Sequence, residues 1–281
     1  MGKSIAGSLE KVLESSSKND SEENKTPVIS ATELKNPEEY IFLPGKKYND
    51  FMYDDCCVSM HRLGATPEVS AAAQTLGLQV SNTARENNGK EYIGNINWFQ
   101  AMSLTASLGG YVLDLRQFAD FLLLLKSGDA VDGNGKKIPA TQLKEIFNEI
   151  TEVRNPNRAE WLDADFKVKG KELYIHYNHR TVSGTLTPQN KELLTDYLTE
   201  NKTPGIYMHD WLQTANNHGL PKSTIAEGNL YYWAPMKDNK SVARFDADSV
   251  GVGLFCDRDP GYSGGSLGLF ASISASQNEN K

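Results

Sequence analysis

Apolar residues recur at helical spacing in the first half of the chain, whereas short strand-like runs dominate the second half. The stretch 95–110 shows the helical pattern most clearly, because Trp98, Met102 and Ala106 are in register and Asn97 stands at the N-cap position. We predict helices at 65–78, 95–110, 115–128, 140–151, 187–204 and 208–221, and strands at 38–45, 111–114, 159–166, 171–180, 229–235, 241–245, 252–259 and 266–270. Helices followed by short antiparallel strands indicate a single α+β domain.

Composition separates a tail from the folded part of the chain. Residues 14–27 are polar and charged and contain no aromatic side chain, so we predict a flexible polar N-terminal tail over 1–27. The folded part is expected to begin near Val28. Residues 28–90 are predicted to support the main domain, which we place at 91–281.

Charge and apolar content limit the partners that can be expected. The chain has 29 Lys and Arg against 36 Asp and Glu, a formal net charge of -7, and no long basic run, so a nucleic-acid partner is not expected. The start lacks the apolar core of a signal peptide, and the longest apolar run, 121–125, is far below the roughly 20 residues of a membrane span. We therefore expect no transmembrane segment and a cytoplasmic location by default, with display on a virion or a surface through a partner as the alternative. The oligomeric state stays open.

Motifs for common catalytic chemistry are missing from the sequence. There is no G-x-S-x-G nucleophile motif and no G-x-x-x-x-G-K-[ST] phosphate loop. The Asp- and Gly-rich stretch 128–138 lacks the terminal Glu of a calcium loop and is predicted to be a hairpin turn. Cys56, Cys57 and Cys256 are predicted to be free, buried thiols. We predict no catalytic residue, no metal and no cofactor.

The segment 249–270 is unusual because glycines, aspartates and aromatic residues crowd into it. An extended 252–259 would alternate its side chains between two sides. The two sets are Leu254, Cys256 and Arg258 toward the core, and Phe255, Asp257 and Asp259 away from it. An outward ring beside carboxylates, followed by Tyr262 in a turn, is typical of a binding surface. The alternative is a solvated sheet edge on which aspartates prevent edge pairing.

Three stretches occur in the order found in one fold family. They are NINWFQAMSLTASLGGYVLDLRQFADFL (95–122), NRAEWLDADF (157–166) and ARFDADSVGVGLFCDRDPGYSGGSLGLF (243–270). Together they resemble the formylglycine-generating-enzyme type of C-type lectin fold, over about residues 90–271. The resemblance implies helices packed on short antiparallel strands, with a C-terminal variable ribbon.

This family contains both enzymes and binding proteins. The copper-dependent oxidases of the family hold their metal with paired cysteines in the closing stretch, where this chain has Cys256 alone. Calcium-dependent lectins of the wider fold use Glu-Pro-Asn, Gln-Pro-Asp and Trp-Asn-Asp, none of which occurs here. A degenerate copper-oxidase relative and a fixed-ligand lectin stay as alternatives. The closing stretch is most similar to the archaeal variable proteins of diversity-generating retroelements, which bind ligands without catalysis.

That resemblance implies a variable segment at about 244–270 and an unidentified variable ligand, which we expect to be a protein. A phage-like structural or tail component is a third, overlapping reading. The residues implied for the variable face are Asp246, Asp248, Val250, Phe255, Asp257, Asp259, Gly261, Tyr262, Gly264 and Gly265. Candidate aromatic contacts are Phe255 and Tyr262 with Tyr231, Tyr232 and Trp233, while Trp161, Arg244 and Arg258 are expected to support the scaffold. The aspartates would favour a cationic or hydrogen-bond-donating partner.

Overall fold

Helices and strands are mixed along the chain, as the α+β class requires. The computed structural model describes residues 34–85, 91–155, 157–264, 267–268, 270 and 272–274. The predicted tail 1–27 lies outside these residues. Within the described ranges, no helix is both long enough and apolar enough to cross a membrane.

Within the described residues five α-helices form, and capping residues mark the start of three of them. The helices are α1 (Pro67–Thr75), α2 (Trp98–Ser107), α3 (Leu115–Ser127), α4 (Ala140–Thr151) and α5 (Met208–Thr214). The hydroxyl of Thr66 accepts a hydrogen bond from the Val69 amide, and Asn97 and Asp114 form capping boxes at α2 and α3. Five of the six predicted helices are confirmed.

In the part of the chain that the structure describes, the strands form one large sheet and three small ones. The strands are β1 (Tyr40–Leu43), β2 (Lys46–Tyr48), β3 (Phe51–Tyr53), β4 (Cys56–Ser59), β5 (Ser81–Arg85), β6 (Glu91–Gly94), β7 (Arg158–Lys169), β8 (Glu172–Val182), β9 (Thr185–Leu193), β10 (Lys202–Ile206), β11 (Leu230–Trp233), β12 (Ser241–Ala247), β13 (Val252–Arg258), β14 (Leu267–Gly268) and β15 (Ser272–Ser274). The large sheet has the order β10-β11-β13-β12-β7-β8-β9, and β14 also pairs with β7. The small sheets are β1-β4-β15, β2-β3 and β5-β6.

Two strand pairings of the large sheet are parallel. We expected antiparallel pairing throughout the C-terminal strands, and β12 and β13 do form an antiparallel hairpin. However, β11 runs parallel to β13, and β14 runs parallel to β7. The β11–β13 pair is parallel because β13 lies between β11 and β12 and runs antiparallel to β12.

The prediction of a helix at 187–204 is wrong. Residues Thr185–Leu193 form β9, which pairs with β8 from Tyr174 to Val182. Pairing along this whole length overrides the local helical pattern. The predicted strand at 111–114 is reduced to one bridge between Tyr111 and Ser272, because Asp114 already serves as the N-cap of α3.

The predicted turn at 128–138 is a hairpin. A bridge joins Val131 and Lys137, and the Asp132 carboxylate accepts hydrogen bonds from the Asn134 and Lys136 amides. Asp132 therefore serves the turn itself.

Helices cover the two faces of the large sheet unequally. On the inner face, Phe245 and Leu254 belong to the main core with α3, α4 and α5. On the outer face, α1 and α2 pack over Ala159, Trp161 and Val242. Nine consecutive residues of β7, 158–166, are buried as a result, whereas side chains on the outer face of β11 and β13 stay partly exposed. This uneven cover leaves an accessible patch of sheet.

Asp114 predicts a pH dependence of stability. Burial raises the pKa of Asp114 to about 7, against the hydrogen bond from the Gln117 amide, which lowers it. Between about pH 4 and 7 the folded protein thus holds a proton that an ordinary aspartate of the unfolded chain has lost. The free energy of unfolding should fall as the pH rises through this window, by up to about 1.4 kcal/mol per pH unit.

Urea unfolding of Asp114→Asn at several pH values in this window checks the prediction. Asparagine can still cap α3 but does not titrate, so the variant should show a flatter dependence than the wild type. An equally steep dependence in both proteins contradicts the assignment to Asp114.

Candidate functional site

Four residues on neighbouring strands lie at one level of the outer face of the large sheet. Trp161 on β7 is opposite Arg244 on β12, Arg244 is opposite Phe255 on β13, and Phe255 is opposite Trp233 on β11. The guanidinium carbon of Arg244 is 5.6 Å from the Trp161 ring centre and 6.0 Å from that of Phe255. The rings of Phe255 and Trp233 are nearly parallel, with centres 6.3 Å apart. We call these four residues the cross-strand row.

Arg244 is buried and forms an ion pair with Asp246. Its Nη2 lies 2.5 Å from the Asp246 Oδ2 atom, and the two residues are 8% and 4% exposed. Burial raises the pKa of Asp246, and the Arg244 guanidinium opposes this shift. The prediction that Asp246 contacts ligand must be corrected, because this carboxylate points to Arg244 and is covered.

A bulge in β13 determines the position of Arg258. Val242 is opposite Arg258 and Arg244 is opposite Phe255, so β13 has one residue more than β12 in this interval. The extra residue changes the alternation. The guanidinium carbon of Arg258 lies 4.1 Å from the Phe255 ring centre. Arg258 is therefore on the ring's side of the sheet, and our expectation that it points into the core with Cys256 is wrong.

Asp257 is half-buried next to Arg258. Its Oδ1 atom lies 3.3 Å from the Arg258 Nε. Burial raises the pKa of Asp257, while the positive charges of Arg258 and Arg244 counteract the rise. Asp257 thus adds a partly accessible carboxylate to the face.

Two turns border the cross-strand row, and hydrogen bonds to their backbone hold both. In the first turn, 248–251, the Asp248 carboxylate accepts the amides of Val250 and Gly251 at 2.8 and 3.0 Å. The amide of Arg154 donates to the Asp248 carbonyl at 3.2 Å. The Val250 side chain, 73% exposed, makes none of these contacts.

The second turn, 259–264, is fixed to the start of α2. The amide of Trp98 donates to the Pro260 carbonyl at 3.0 Å, and the amide of Asn95 donates to the Gly264 carbonyl at 2.9 Å. The Asp259 carboxylate accepts the Gly261 amide at 2.8 Å. Gly265, which we also predicted for the face, lies outside the described residues. The turn thus depends on main-chain atoms rather than on the side chain at 262.

Tyr262 projects from the second turn. The residue is 57% exposed, and its ring centre lies 5.8 Å from the Arg244 guanidinium carbon. Tyr262 therefore joins the turn to the cross-strand row while most of its ring stays accessible.

The three aromatic residues of β11 divide between the two faces. Tyr231 and Trp233 are half-buried on the outer face. Tyr232 is fully buried on the inner face, where its hydroxyl donates to the Leu198 carbonyl at 2.9 Å. Tyr232 cannot be a contact residue, because strand alternation directs it into the core.

Glycines make room for the outer rings. A Cβ atom at Gly253 would lie 2.4 Å from Cε2 of Phe255, and one at Gly251 would lie 2.4 Å from Cε2 of Tyr231. Both rings therefore rest directly on the backbone of β13 or its entry, where only glycine leaves the space.

Phe99 is an exposed aromatic residue at the start of α2 that the sequence analysis did not select. It is 49% exposed in the first turn of α2, and its ring packs edge-on against Trp98, with centres 5.4 Å apart. The signal was its place outside the apolar stripe formed by Trp98, Met102 and Ala106. Phe99 directly follows Trp98, whose amide donates to the Pro260 carbonyl of the second turn.

Cys256 and His179 are buried in the interior of the protein. Cys256 is fully buried, and burial raises its pKa well above the usual value. Among the described residues there is no group of three or more His, Cys, Asp or Glu side chains that could hold a metal ion. His179 lies with Nδ1 2.5 Å from the Asp163 carboxylate and edge-on to Trp98.

Comparisons with protein-family models, with curated proteins and with solved structures find no match to this chain.

The ion pair predicts that two aspartates of the face differ in their effect on stability. Asp246→Asn leaves the buried Arg244 charge without a counter-ion and should lower the free energy of unfolding by about 3 kcal/mol. Asp248→Asn keeps an oxygen for its turn and should change it by less than about 0.5 kcal/mol. Urea unfolding at neutral pH measures the free energy of unfolding of both variants. Equal losses of stability would show that the ion pair between Arg244 and Asp246 is no more important for stability than the turn held by Asp248.

The close approach of the Phe255 ring to Gly253 predicts that a larger residue at position 253 displaces the ring. In Gly253→Ala the added methyl group collides with the ring, so Phe255 must leave its stack with Trp233. Acrylamide should then quench tryptophan fluorescence more strongly, because Trp233 is the half-buried tryptophan of the chain and the others are at most 1% exposed. Gly261→Ala is the control, since its Cβ has 3.3 Å to the nearest atom, Asp259 Oδ1. Unchanged quenching in Gly253→Ala contradicts the stacked arrangement.

Proposed function

We propose that this protein has a C-type lectin fold and is a binding protein diversified by a retroelement, which recognises its ligand without catalysis. The observation that carries the proposal is the separation between fixed and replaceable parts of one face. The backbone of turns 248–251 and 259–264 is held by hydrogen bonds that do not depend on the side chains at 250 and 262. Beneath these turns lies the buried pair of Arg244 and Asp246.

Contacts among the three stretches that resemble the family support this assignment. The Trp98 indole donates to the Leu162 carbonyl, and the Trp161 indole donates to the Ile96 carbonyl, each at 2.8 Å. These reciprocal bonds join the first stretch to the second. Arg244, from the third stretch, packs over the Trp161 ring. Residues distant in sequence thus meet in one scaffold under the proposed variable face.

Exposure narrows the set of positions that can vary freely. Val250, Asp259, Gly261 and Tyr262 are exposed, and Asp248, Phe255, Asp257 and Gly264 are partly exposed. Replacement at these positions changes the surface at little cost to the core, except at Phe255, which belongs to the cross-strand row. Asp246 belongs instead to the fixed part, and we propose that it stays constant when its neighbours change.

The two alternatives make different demands on the same stretch. A copper oxidase of this family would need paired thiolates there, whereas Cys256 packs in the main core and the other cysteines lie on β4. A fixed-ligand lectin would use the same face with an invariant sequence. Variation at the face therefore separates the proposal from both alternatives.

Deep sequencing of the DNA that encodes 240–271, across the source population, tests the proposal. We expect differences at adenine-containing codons for 248, 250, 257, 259, 261 and 262, with 244, 246 and 256 constant, together with a near-identical repeat beside a reverse-transcriptase gene. An invariant segment without such a repeat contradicts diversification and leaves the fixed-ligand lectin as the better account.

A further inference from the structure

We propose that the buried pair of Asp163 and His179 controls the position of the second turn of the face, 259–264, through Trp98. The inference rests on the proposed function only in treating this turn as part of a binding face. The connection from the pair to the turn runs through Trp98. Asp163 and His179 are therefore positioning residues, which act on a ligand by way of the turn that presents Tyr262.

The pair lies where β8 separates from β7. Pairing between these two strands ends at Asp165 and His176. Beyond that point the Asp163 Oδ2 atom accepts the His179 amide at 2.8 Å, so a carboxylate takes the place of a strand partner. The Asp163 Oδ1 atom lies 2.5 Å from Nδ1 of the same histidine. One carboxylate thus holds both the backbone and the ring of His179, with the ring proton on Nδ1.

Asn178 gives the His179 ring its direction. In a regular strand His179 would follow Tyr177 into the main core, because residues two apart share a face. Asn178 has a φ of 54°, a left-handed conformation that asparagine adopts more readily than most residues. The His179 ring is thereby turned to the outer face. There it packs edge-on against the Trp98 ring, with centres 4.9 Å apart.

Trp98 connects this arrangement to the second turn. Its indole donates to the Leu162 carbonyl of β7 at 2.8 Å, and its amide donates to the Pro260 carbonyl at 3.0 Å. Pro260 is two residues before Tyr262, the exposed ring of the turn. The ring and the amide of Trp98 belong to one residue at the rigid start of α2. A change in the packing of the Trp98 ring against His179 therefore alters the anchor of the turn.

A polar pair is not needed to fill this site. Asp163 is 2% exposed and His179 is 6% exposed. Removing polar groups from water is costly, and apolar side chains of similar volume often replace buried charged pairs without loss of stability. Hydrogen bonds, however, restrict the His179 ring to one orientation. The chemistry of the pair thus favours a role in positioning over a role in stability.

Hydrogen exchange at two tryptophan amides of the full chain tests the inference. The protein contains four tryptophans, so selective isotope labelling of tryptophan gives a simple NMR spectrum. Trp98 reports on the second turn. Trp211 is the internal reference, because its amide donates to the Tyr207 carbonyl at 3.0 Å and its indole to the Gly219 carbonyl at 2.8 Å. A loss of overall stability accelerates exchange at both amides, whereas loosening of the turn acts on Trp98 alone.

Two variants disturb the pair in different ways. Asp163→Asn keeps an oxygen for the His179 amide but not a second acceptor for Nδ1, and His179→Phe keeps a ring beside Trp98 but has no donor. Each variant should accelerate exchange of the Trp98 amide, relative to that of Trp211, by about 10-fold, because a hydrogen bond to a charged group is lost.

Glu192→Gln is the matched control. It disturbs another pair of carboxylate and imidazole, in which the Glu192 Oε2 atom lies 3.5 Å from the His218 Nε2 atom. Exchange of the Trp98 amide should be the same in this variant as in the wild type.

Three results overturn the inference. The first is an equal acceleration at Trp98 and Trp211 in both variants, which would show that the pair only stabilises the fold. The second is an unchanged Trp98 rate in both variants, and the third is an acceleration of Trp98 by Glu192→Gln as large as that by Asp163→Asn. None of these results alters the population sequencing, which decides diversification independently. The inference can therefore fail while the proposed function stands, and the reverse also holds.

Discussion

A single buried guanidinium group, that of Arg244, organises the outer face of the large sheet. A buried cation is costly unless a counter-ion and hydrogen bonds compensate for the lost water. Asp246 provides the counter-ion, and Trp161, Phe255 and Tyr262 surround the pair with rings. Each of these partners is fixed in turn, since Trp161 donates to Ile96 and Phe255 is held between Arg258 and Trp233.

The outer face therefore has two levels, which differ in how strongly the structure depends on their side chains. The lower level combines the cross-strand row with the Arg244 and Asp246 pair, and it ties β7, β12, β13 and β11 together. The upper level consists of turns 248–251 and 259–264, whose backbones are anchored to Arg154 and to the start of α2. Side chains such as Val250 and Tyr262 can change at the upper level because neither turn depends on them. A scaffold with this division suits a binding protein whose contacts differ from one copy of the gene to another.

Sequence reasoning succeeded where local chemistry decides the structure. Asn97 occupies the predicted N-cap position, and α2 begins directly after it. Sequence reasoning failed where pairing between strands decides the secondary structure. Residues 187–193 read as a helix but form β9, because β8 pairs with them along its length.

The face itself could be predicted only in outline. Alternation correctly assigned Leu254 and Cys256 to the core, yet a bulge that local sequence does not reveal turns Arg258 to the other side. Asp246 was predicted to be a surface residue, because the sequence does not show that it pairs with Arg244, two positions away on the same strand. Their pairing depends on how α2 and Trp161 cover β12. The hydrogen bond from the Trp98 amide to the Pro260 carbonyl, which anchors the second turn to α2, has no signal in the local sequence either.

The central claim is that the upper level can be rewritten while the lower level cannot. Two libraries of the full chain test it most directly, one randomised at 250, 259, 261 and 262 and the other at 161, 244 and 246, each sorted for resistance to protease. The account predicts that most members of the first library stay as resistant as the wild type and that few members of the second do. Equal losses of resistance in the two libraries would contradict it.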